Sequence, residues 1–357
     1  MNRAGNMASI DLTLIIPALN ESAIILGNVD ELTGWMNQYQ PNISYEILVI
    51  DDGSTDGMGD LLDEASNNRK WLKVIHHTRN MGRGRGVRSG FENSSGRYII
   101  CLDADFSYAP EHIPLLLEPL LKDEADITLA SAHHPKGKVI NVPYQRALLS
   151  KWGNWILGRG FSGDFYTVTC IVRGFKREVI DNLELVNDGK ELHLEIIQKA
   201  QLMGYRIKEV PAILHWRDRK RGQPEKRKLF PEIAILKMRK TVLSHLIFNY
   251  ITNPGILLFI PIISLLIIIL AGIGMLVGSF SEKLNSDLPL IQVLRQTLLD
   301  GQLTLTVVLF AFITLMVFIV FYFLSSQSKR YFDETYTLLM RMNARIKKIE
   351  SKKDEFT

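Results

Sequence analysis

The sequence predicts an α/β protein with a mostly parallel sheet, followed by an amphipathic helix and two membrane-spanning helices. Short apolar patterns typical of buried strands alternate with helical patterns between residues 12 and 211, as they do in βαβ units. A basic segment with apolar residues at helical spacing follows. Two long stretches without any charged residue then lie near the C-terminus.

The first strand is predicted over Leu12–Ile16 and ends at Pro17, which has no N–H to donate to a neighbouring strand. The next three predicted strands are Tyr45–Ile50, Leu72–Ile75 and Tyr98–Leu102. Ligands of parallel sheets bind at the carboxyl ends of the strands. We therefore expect the loops after the first, second and fourth strands to share one rim of the sheet.

Two carboxylates, Asp103 and Asp105, follow the fourth strand directly. Side chains two residues apart on an extended chain point to the same side. A pair of hard oxygen ligands suits Mg²⁺ or Mn²⁺ bridging a diphosphate. Because Asp-x-Asp by itself also fits an ordinary acidic turn, the flanking motifs decide between the two interpretations.

A glycine- and arginine-rich segment, Asn80–Gly86, precedes a helix predicted over Val87–Asn93. Glycine-rich backbone before the N-terminus of a helix favours anion binding. We assign Arg85 of this segment to the same ligand as the two carboxylates. The segment matches neither a P-loop nor the dinucleotide-binding fingerprint, because both the following residues and the glycine spacing differ.

The C-terminal third carries the membrane signal. Ile256–Val277 and Leu303–Leu324 contain no charged residue, and about 20 apolar residues suffice to cross a bilayer. Dense Lys/Arg clusters lie outside this pair, so the positive-inside rule predicts that both termini and the N-terminal domain are cytoplasmic. The predicted division is 1–228 (globular domain), 229–252 (amphipathic helix), 253–325 (two spans with a short external loop) and 326–357 (basic tail helix).

Composition limits the partners. The net charge is only +4, so no nucleic-acid partner is required. Two cysteines are too few for a disulfide framework and fit a reducing compartment. The basic tail helix can lie on the membrane or pair between subunits of a homo-oligomer, and the sequence leaves both open.

Three motifs, Ile15–Glu21, Asp51–Asp56 and Asp103–Asp105, resemble the three successive signatures of family-two inverting glycosyltransferases with the GT-A fold. The resemblance covers about Leu12 to Pro211. With two C-terminal membrane helices, the chain is similar to the polyprenyl-phosphate branch, which contains dolichyl-phosphate mannosyltransferases and undecaprenyl-phosphate glucosyltransferases. The resemblance implies a UDP- or GDP-linked sugar donor, a divalent metal and a polyprenyl-phosphate acceptor.

The resemblance also assigns residues to the donor. It implies that the first motif lines the nucleotide pocket, that the second contacts the base, and that the Asp-Ala-Asp turn holds the metal on the diphosphate. A mobile basic loop closes over the donor in relatives. The implied donor residues are Pro17, Ala18, Glu21, Asp51 or Asp52, Asp103, Ala104, Asp105, Arg219 and Arg221.

Further residues are implied for the metal, the acceptor and catalysis. Ser107 falls where some relatives have a third metal ligand, and Arg146 matches an arginine near the acceptor phosphate. Arg173 is the candidate to replace a second acceptor arginine. Lys226 is the candidate for the catalytic lysine of the basic loop, and Glu195 for orienting the sugar or that loop.

A lipid phosphate, with a second pKa of about 6, is largely a dianion at neutral pH and can attack the anomeric carbon without a general base. We therefore expect inversion and no essential proton-abstracting carboxylate. Transfer to another lipid or to a glycan is the alternative, and an alcohol acceptor would need a base such as Glu195 or Glu191. A catalytically inactive, membrane-anchored binding protein is the third interpretation, against which the intact aspartate pair argues.

Overall fold

The structure is a computed structural model that describes residues 10–158, 161, 163, 165–216, 254–285 and 288–354. The chain divides into two compact units, Met1–His245 with Leu339–Thr357, and Leu246–Leu338. The first unit contains the sheet and its helices, and the second contains most of the apolar C-terminal helices.

The first unit is built on a seven-stranded sheet with the order β3-β2-β1-β4-β7-β5-β8. All neighbours are parallel except β7, which runs antiparallel to both β4 and β5. A separate parallel pair is formed by β6 and β9. The strands are β1 Leu12–Ala18, β2 Tyr45–Asp51, β3 Leu72–His76, β4 Tyr98–Cys101, β5 Ile127–Ser131, β6 Lys138–Ile140, β7 Arg173–Lys176, β8 Ile207–Pro211 and β9 Ile213–His215.

Seven of the described helices belong to the first unit, and three more follow in the C-terminal region. Those of the first unit include α3, which contacts β1 and β2, and α4, which contacts β5 and β7. The helices are α1 Ile25–Tyr39, α2 Met58–Asn67, α3 Arg83–Asn93, α4 His112–Leu121, α5 Tyr144–Gly158, α6 Arg177–Asn182, α7 Leu192–Leu202, α8 Pro254–Leu284, α9 Leu290–Asp300 and α10 Gln302–Asp354. The mostly parallel α/β architecture confirms the predicted fold class.

Pro17 does not end the first strand. It continues β1 for two residues beyond the predicted end and is paired in register with Ile50 of β2. On the other side, the register with β4 stops at Ile15, opposite Cys101. Because Pro17 lies beyond the last residue of β4, its missing N–H removes no hydrogen bond between these two strands.

The start of α3 also differs from the prediction. The helix begins at Arg83, four residues before the predicted start at Val87, so the glycine- and arginine-rich segment forms its first turn. Gly82, the residue before the helix, has a φ of +100°, a conformation that glycine adopts without a steric penalty. Gly84 and Gly86 therefore lie within the helix, whereas the sequence had indicated a loop in front of it.

Two C-terminal helices are long and apolar enough to cross a membrane. Leu258–Leu284 and Gln302–Leu339 both reach a mean hydropathy of 2.9, and only 6% and 11% of their most apolar windows are buried. Such exposed apolar surface favours a location in the membrane. The second span continues without a break to Asp354, and α9 occupies the segment that was predicted as a short loop.

Candidate active site

A cavity of about 250 Å³ opens at the carboxyl ends of β1, β2 and β4. Loops from all three strands contribute to it, as expected for a parallel sheet. Leu19, Asn80, Arg83 and Ile171 complete the lining. The predicted donor residues that line this cavity are Pro17, Ala18, Glu21, Asp52, Asp103, Ala104 and Asp105.

Asp103 and Asp105 lie on a tight turn, which contradicts the extended geometry expected from their spacing. The N–H of Phe106 donates to the carbonyl of Asp103 at 3.2 Å, and Phe106 itself has a φ of +46°. A bulky residue adopts this left-handed conformation only when its surroundings hold it there. The ring of Phe106 is fully buried, so core packing fixes the turn, and both carboxylates still line the cavity.

Two side chains brace this turn. Asn28, buried on α1, donates from Nδ2 to the carbonyl of Ala104 at 2.6 Å. Ser107 donates from Oγ to Asp105 Oδ1 at 2.6 Å and from its backbone N–H at 3.1 Å. Ser107 does not line the cavity, so the structure assigns its hydroxyl to orienting the Asp105 carboxylate. Sequence reasoning missed Asn28, because it lies 76 residues from the turn it contacts.

The first and second motifs form one wall of the cavity, because their loops are hydrogen-bonded to each other. The N–H of Asn20 donates to Ser54 Oγ at 3.0 Å, and the N–H of Thr55 donates to Asn20 Oδ1 at 2.8 Å. Ser22 and Asp56 add a third contact, in which the N–H of Ser22 donates to the carboxylate at 2.9 Å. The hydrogen bonds thus join the two loops into one shared wall rather than two separate sites.

Of the two aspartates proposed to contact the base, only Asp52 lines the cavity. Its carboxylate accepts hydrogen bonds from the N–H groups of Met81 and Gly82, both at 2.9 Å, and so anchors the segment that enters α3. Asp51 is buried and lies 3.0 Å from His76 Nδ1. Burial opposes ionisation of Asp51, but hydrogen bonds from Ser54 and His76 outweigh it and lower the pKa of this carboxyl.

Arg83, rather than Arg85, reaches the cavity. Arg83 Nη1 lies 3.8 Å from Asp103 Oδ1. Arg85 instead forms two hydrogen bonds with the carboxylate of Glu92, at 3.0 and 3.1 Å. Positions two apart on a helix differ by about 200° around its axis, so the earlier helix start directs these two arginines to different sides.

Arg173 is not available to an acceptor phosphate. It is 1% exposed on β7, and its guanidinium donates to the carbonyls of Cys170, His193 and Val168 at 2.7, 2.8 and 2.6 Å. Burial lowers the pKa of Arg173 to about 10, which still leaves it protonated at neutral pH. The structure therefore does not support the predicted acceptor role, and this arginine stabilises the surrounding backbone.

Arg146 lies on α5, and its guanidinium carbon is 4.4 Å from the centre of the Trp216 ring. The same helix exposes Tyr144, Leu148, Leu149, Trp152 and Trp155. An exposed set of aromatic and aliphatic side chains around a basic group suits a surface that meets lipid.

The basic loop with Arg219, Arg221 and Lys226 lies outside the described residues. The described residues that precede it are anchored, because the N–H of His215 donates to the carbonyl of Ser107 at 2.8 Å. Trp216, the last residue described before the loop, donates to the carbonyl of Ile140 at 2.9 Å. His215, the residue before Trp216, thus lies beside the turn that carries Asp105.

Glu195 is 2% exposed and does not face the cavity. Its carboxylate accepts the N–H groups of Val186 and Asn187 at 2.9 and 3.0 Å and the side-chain amide of Asn187 at 3.0 Å. Lys199 Nζ lies 2.6 Å away. Burial opposes ionisation, but Lys199 and the backbone donors outweigh it and lower the pKa of Glu195. Within the described part of the chain, the carboxylate thus orients segment 186–187.

The part of the chain that carries the cavity is similar to a family of known enzymes. Residues 13–183 match the model of glycosyl transferase family 2. The chain is 32% identical over 209 residues to a polyprenol monophosphomannose synthase of Mycolicibacterium smegmatis, a match that covers 56% of this chain and 75% of that relative. The chain belongs to glycosyl transferase family 2. Family membership and the mostly parallel sheet identify the fold as GT-A-like, as the sequence predicted.

Two further proteins are similar to this chain. A dolichol-phosphate mannosyltransferase of Pyrococcus furiosus is 33% identical over 203 residues, which are 56% of this chain and 55% of that relative. The chain thus spans about half the length of this second relative. A solved glucosyl-3-phosphoglycerate synthase from Mycobacterium tuberculosis, in complex with Mn²⁺, UDP and phosphoglyceric acid, aligns with 68% of this chain and 79% of that one at 18% identity and a TM-score of 0.49.

Proposed function

We propose that this family-two glycosyltransferase transfers a sugar from a UDP- or GDP-linked donor to a polyprenyl phosphate at the cytoplasmic face of a membrane. The observation that carries the proposal is the meeting of Asp103, Asp105 and Arg83 in one cavity at the carboxyl rim of the sheet. The names of two relatives, a dolichol-phosphate mannosyltransferase and a polyprenol monophosphomannose synthase, support the acceptor class. Two apolar helices support a membrane-bound acceptor.

The residues present fit a divalent cation shared with the donor. The described residues contain no group of three or more His, Cys, Asp or Glu side chains that could hold a metal by themselves. Mg²⁺ in particular is bound by one or two carboxylates together with substrate phosphates. Asp103 and Asp105 supply that number of carboxylates, and Ser107 orients one of them. A bound Mg²⁺ or Mn²⁺ would stabilise the negative charge that develops on the leaving nucleoside diphosphate.

Arg83 would supply positive charge to the donor diphosphate in addition to that of the divalent cation. Its guanidinium, at the first residue of α3, lies near Asp103 and within the lining of the cavity. An arginine in this position can donate to a diphosphate oxygen and stabilise the leaving group. We also propose that Arg219, Arg221 and Lys226, in the basic loop after Trp216, bring further positive charge to the donor diphosphate.

Attack by a phosphate acceptor on the sugar requires no general base from the protein. A phosphate monoester at neutral pH carries nearly two negative charges and attacks the anomeric carbon directly, with inversion. Glu195, the carboxylate considered as a base for an alcohol acceptor, is buried and hydrogen-bonded to backbone, which favours the phosphate acceptor. Arg146, on a helix with exposed aromatic side chains, is proposed to bind the lipid phosphate.

The test is a transfer assay with the purified full-length protein in detergent. A panel of UDP- and GDP-linked sugars is incubated with a short-chain polyprenyl phosphate, with Mn²⁺ or with EDTA, and the lipid is analysed by mass spectrometry. We expect a lipid whose mass increases by one sugar residue, only with the metal. Product with EDTA would contradict the role of Asp103 and Asp105. Transfer only to lipids bearing a hydroxyl would support the alternative acceptor, and absence of metal-dependent nucleotide-sugar binding would support an inactive protein.

A further inference from the structure

We propose that Glu195 is a positioning residue for donor binding, because it holds segment 186–189 against the first turn of α3 and so fixes Arg83 in the cavity. This inference rests on the proposed function, in which Arg83 contacts the donor diphosphate. It assigns to the glycine-rich first turn of α3 a role different from anion binding. The connection has three steps, each of which is a set of contacts between described residues.

The first step is the anchor. Glu195 and Lys199 form a buried ion pair on α7, 2.6 Å apart. The carboxylate accepts three hydrogen bonds from Val186 and Asn187, while Lys199 Nζ also donates to the carbonyl of Glu184 at 2.5 Å. A buried charge is stable only when it is paired and hydrogen-bonded, and here the partners come from the segment that leads to α7. The ion pair therefore fixes this segment on the helix.

The second step joins the segment to α3. The carbonyl of Asp188 accepts the N–H of Arg85 at 3.1 Å, in the first turn of the helix. Arg88 donates to the Asp188 carboxylate at 2.7 Å and to the carbonyl of Val186 at 3.0 Å. Backbone groups at the N-terminus of a helix need partners from outside the helix, and segment 186–189 provides one.

Close packing explains why glycines occupy this turn. A Cβ built on Gly82 would lie 2.6 Å from the carbonyl oxygen of Asp188, and one on Gly84 would lie 2.4 Å from that of Gly189. Side-chain carbons do not approach a backbone oxygen so closely, so any larger residue would displace the two segments from each other. The glycines thus make room for the backbone of residues 188–189.

The third step reaches the cavity. Arg83 lies between these two glycines and opposite Asp103. On the other side, Asp52 accepts the N–H groups of Met81 and Gly82. The start of α3 is therefore held between Asp52 and segment 186–189, and release of the second contact moves the guanidinium relative to the diphosphate. A displacement of about 1 Å at a binding group can lower activity about 100-fold.

The test uses two variants that disturb the contact at its two ends, Glu195→Gln and Gly84→Ala. Glu46→Gln is the matched control for a buried carboxylate, because Glu46 is 1% exposed, lies 2.6 Å from Lys73 Nζ and belongs to β2 outside the cavity lining. Gly34→Ala is the matched control for a helical glycine, since a Cβ there meets no atom within 4 Å. All variants are made in the full-length protein.

Two measurements follow. Amide hydrogen exchange over residues 81–86 should be faster in Glu195→Gln than in the Glu46→Gln control at equal distance from each melting temperature. Affinity for UDP and GDP with Mn²⁺ should fall about tenfold in Glu195→Gln and Gly84→Ala, and remain within about twofold in both controls. In an Arg83→Ala background, Glu195→Gln should have little additional effect, because the two residues act as a unit.

The outcomes are separable. Unchanged exchange over residues 81–86 in Glu195→Gln overturns the inference whatever the ligand is. Equal losses of affinity from Glu195→Gln with and without Arg83 also overturn it, because Glu195 would then act by another route. If the wild-type protein binds neither nucleotide, the proposed function fails and the link to donor binding fails with it, whereas faster exchange alone would still support the contact between segment 186–189 and α3.

Discussion

Asn28 offers the sharpest test of how the aspartate turn is held. Its amide donates to the Ala104 carbonyl at 2.6 Å in a buried position. Asn28→Leu keeps the approximate volume but removes the donor, and a buried carbonyl left without it costs about 1–3 kcal/mol. A loss of about 2 kcal/mol in the stability of the metal-binding conformation corresponds to about a 30-fold weaker apparent affinity for the cation.

The assay is a titration of transfer activity with Mn²⁺ at saturating donor. We expect the half-saturating Mn²⁺ concentration to rise about 10- to 100-fold in Asn28→Leu, the range found for residues that orient metal ligands. Thr128→Val is the matched control, because Thr128 Oγ1 also donates to a buried carbonyl, that of Leu116, at 2.8 Å. If both variants lower the melting temperature and neither changes the Mn²⁺ requirement, Asn28 does not support the turn as described.

Three further predictions concern charged side chains of α3 and of the sheet. Arg83→Ala should raise the donor KM at least about tenfold, whereas Arg85→Ala, which loses only the surface pair with Glu92, should change it less than about twofold. Equal effects on the donor KM would contradict the assignment of Arg83 to the cavity. Arg173→Met should lower the melting temperature, because three buried carbonyls lose a charged donor worth about 1.5–3 kcal/mol each, and the acceptor KM of the folded fraction should stay the same; a raised acceptor KM would return Arg173 to the acceptor site. Burial opposes ionisation of Glu46, but hydrogen bonds outweigh it and lower the pKa of this carboxyl from 4.5 to about 2. The ionised Glu46 therefore stabilises the fold by about 3 kcal/mol above pH 4.5, and this contribution is lost as the pH falls towards 2. Urea unfolding of Glu46→Gln should show a correspondingly flatter pH dependence, and an unchanged slope would refute this account.

Local patterns were sufficient for the strands that carry the cavity loops and for the position of those loops. The parallel strands β1, β2, β4 and β5 are short runs of mostly apolar, mostly buried residues, and the three predicted motifs lie at the carboxyl ends of β1, β2 and β4. Parallel topology then places those loops at one edge, whatever the details of the chain between them. The same holds for the two apolar helices, because their length and composition are visible without any tertiary contact.

Contacts between distant segments account for the misassigned residues. Arg173 was the candidate for an acceptor arginine, but β7 enters the sheet antiparallel between β4 and β5 and buries it. The glycines near Arg83 were expected to favour anion binding, whereas Gly82 and Gly84 accommodate the backbone of residues 188–189, about 100 positions away in the chain. Asn28 gave no signal at all, since a single polar residue on an amphipathic helix is ordinary.

The central claim is that Asp103 and Asp105 hold a divalent cation on the donor diphosphate. The most direct measurement is the affinity for UDP or GDP by calorimetry, with and without Mn²⁺, in the wild-type protein and in the Asp103→Asn, Asp105→Asn double variant. We expect Mn²⁺ to tighten nucleotide binding by about tenfold or more in the wild-type protein and by less than about twofold in the variant. Equal tightening by Mn²⁺ in both proteins would contradict the account.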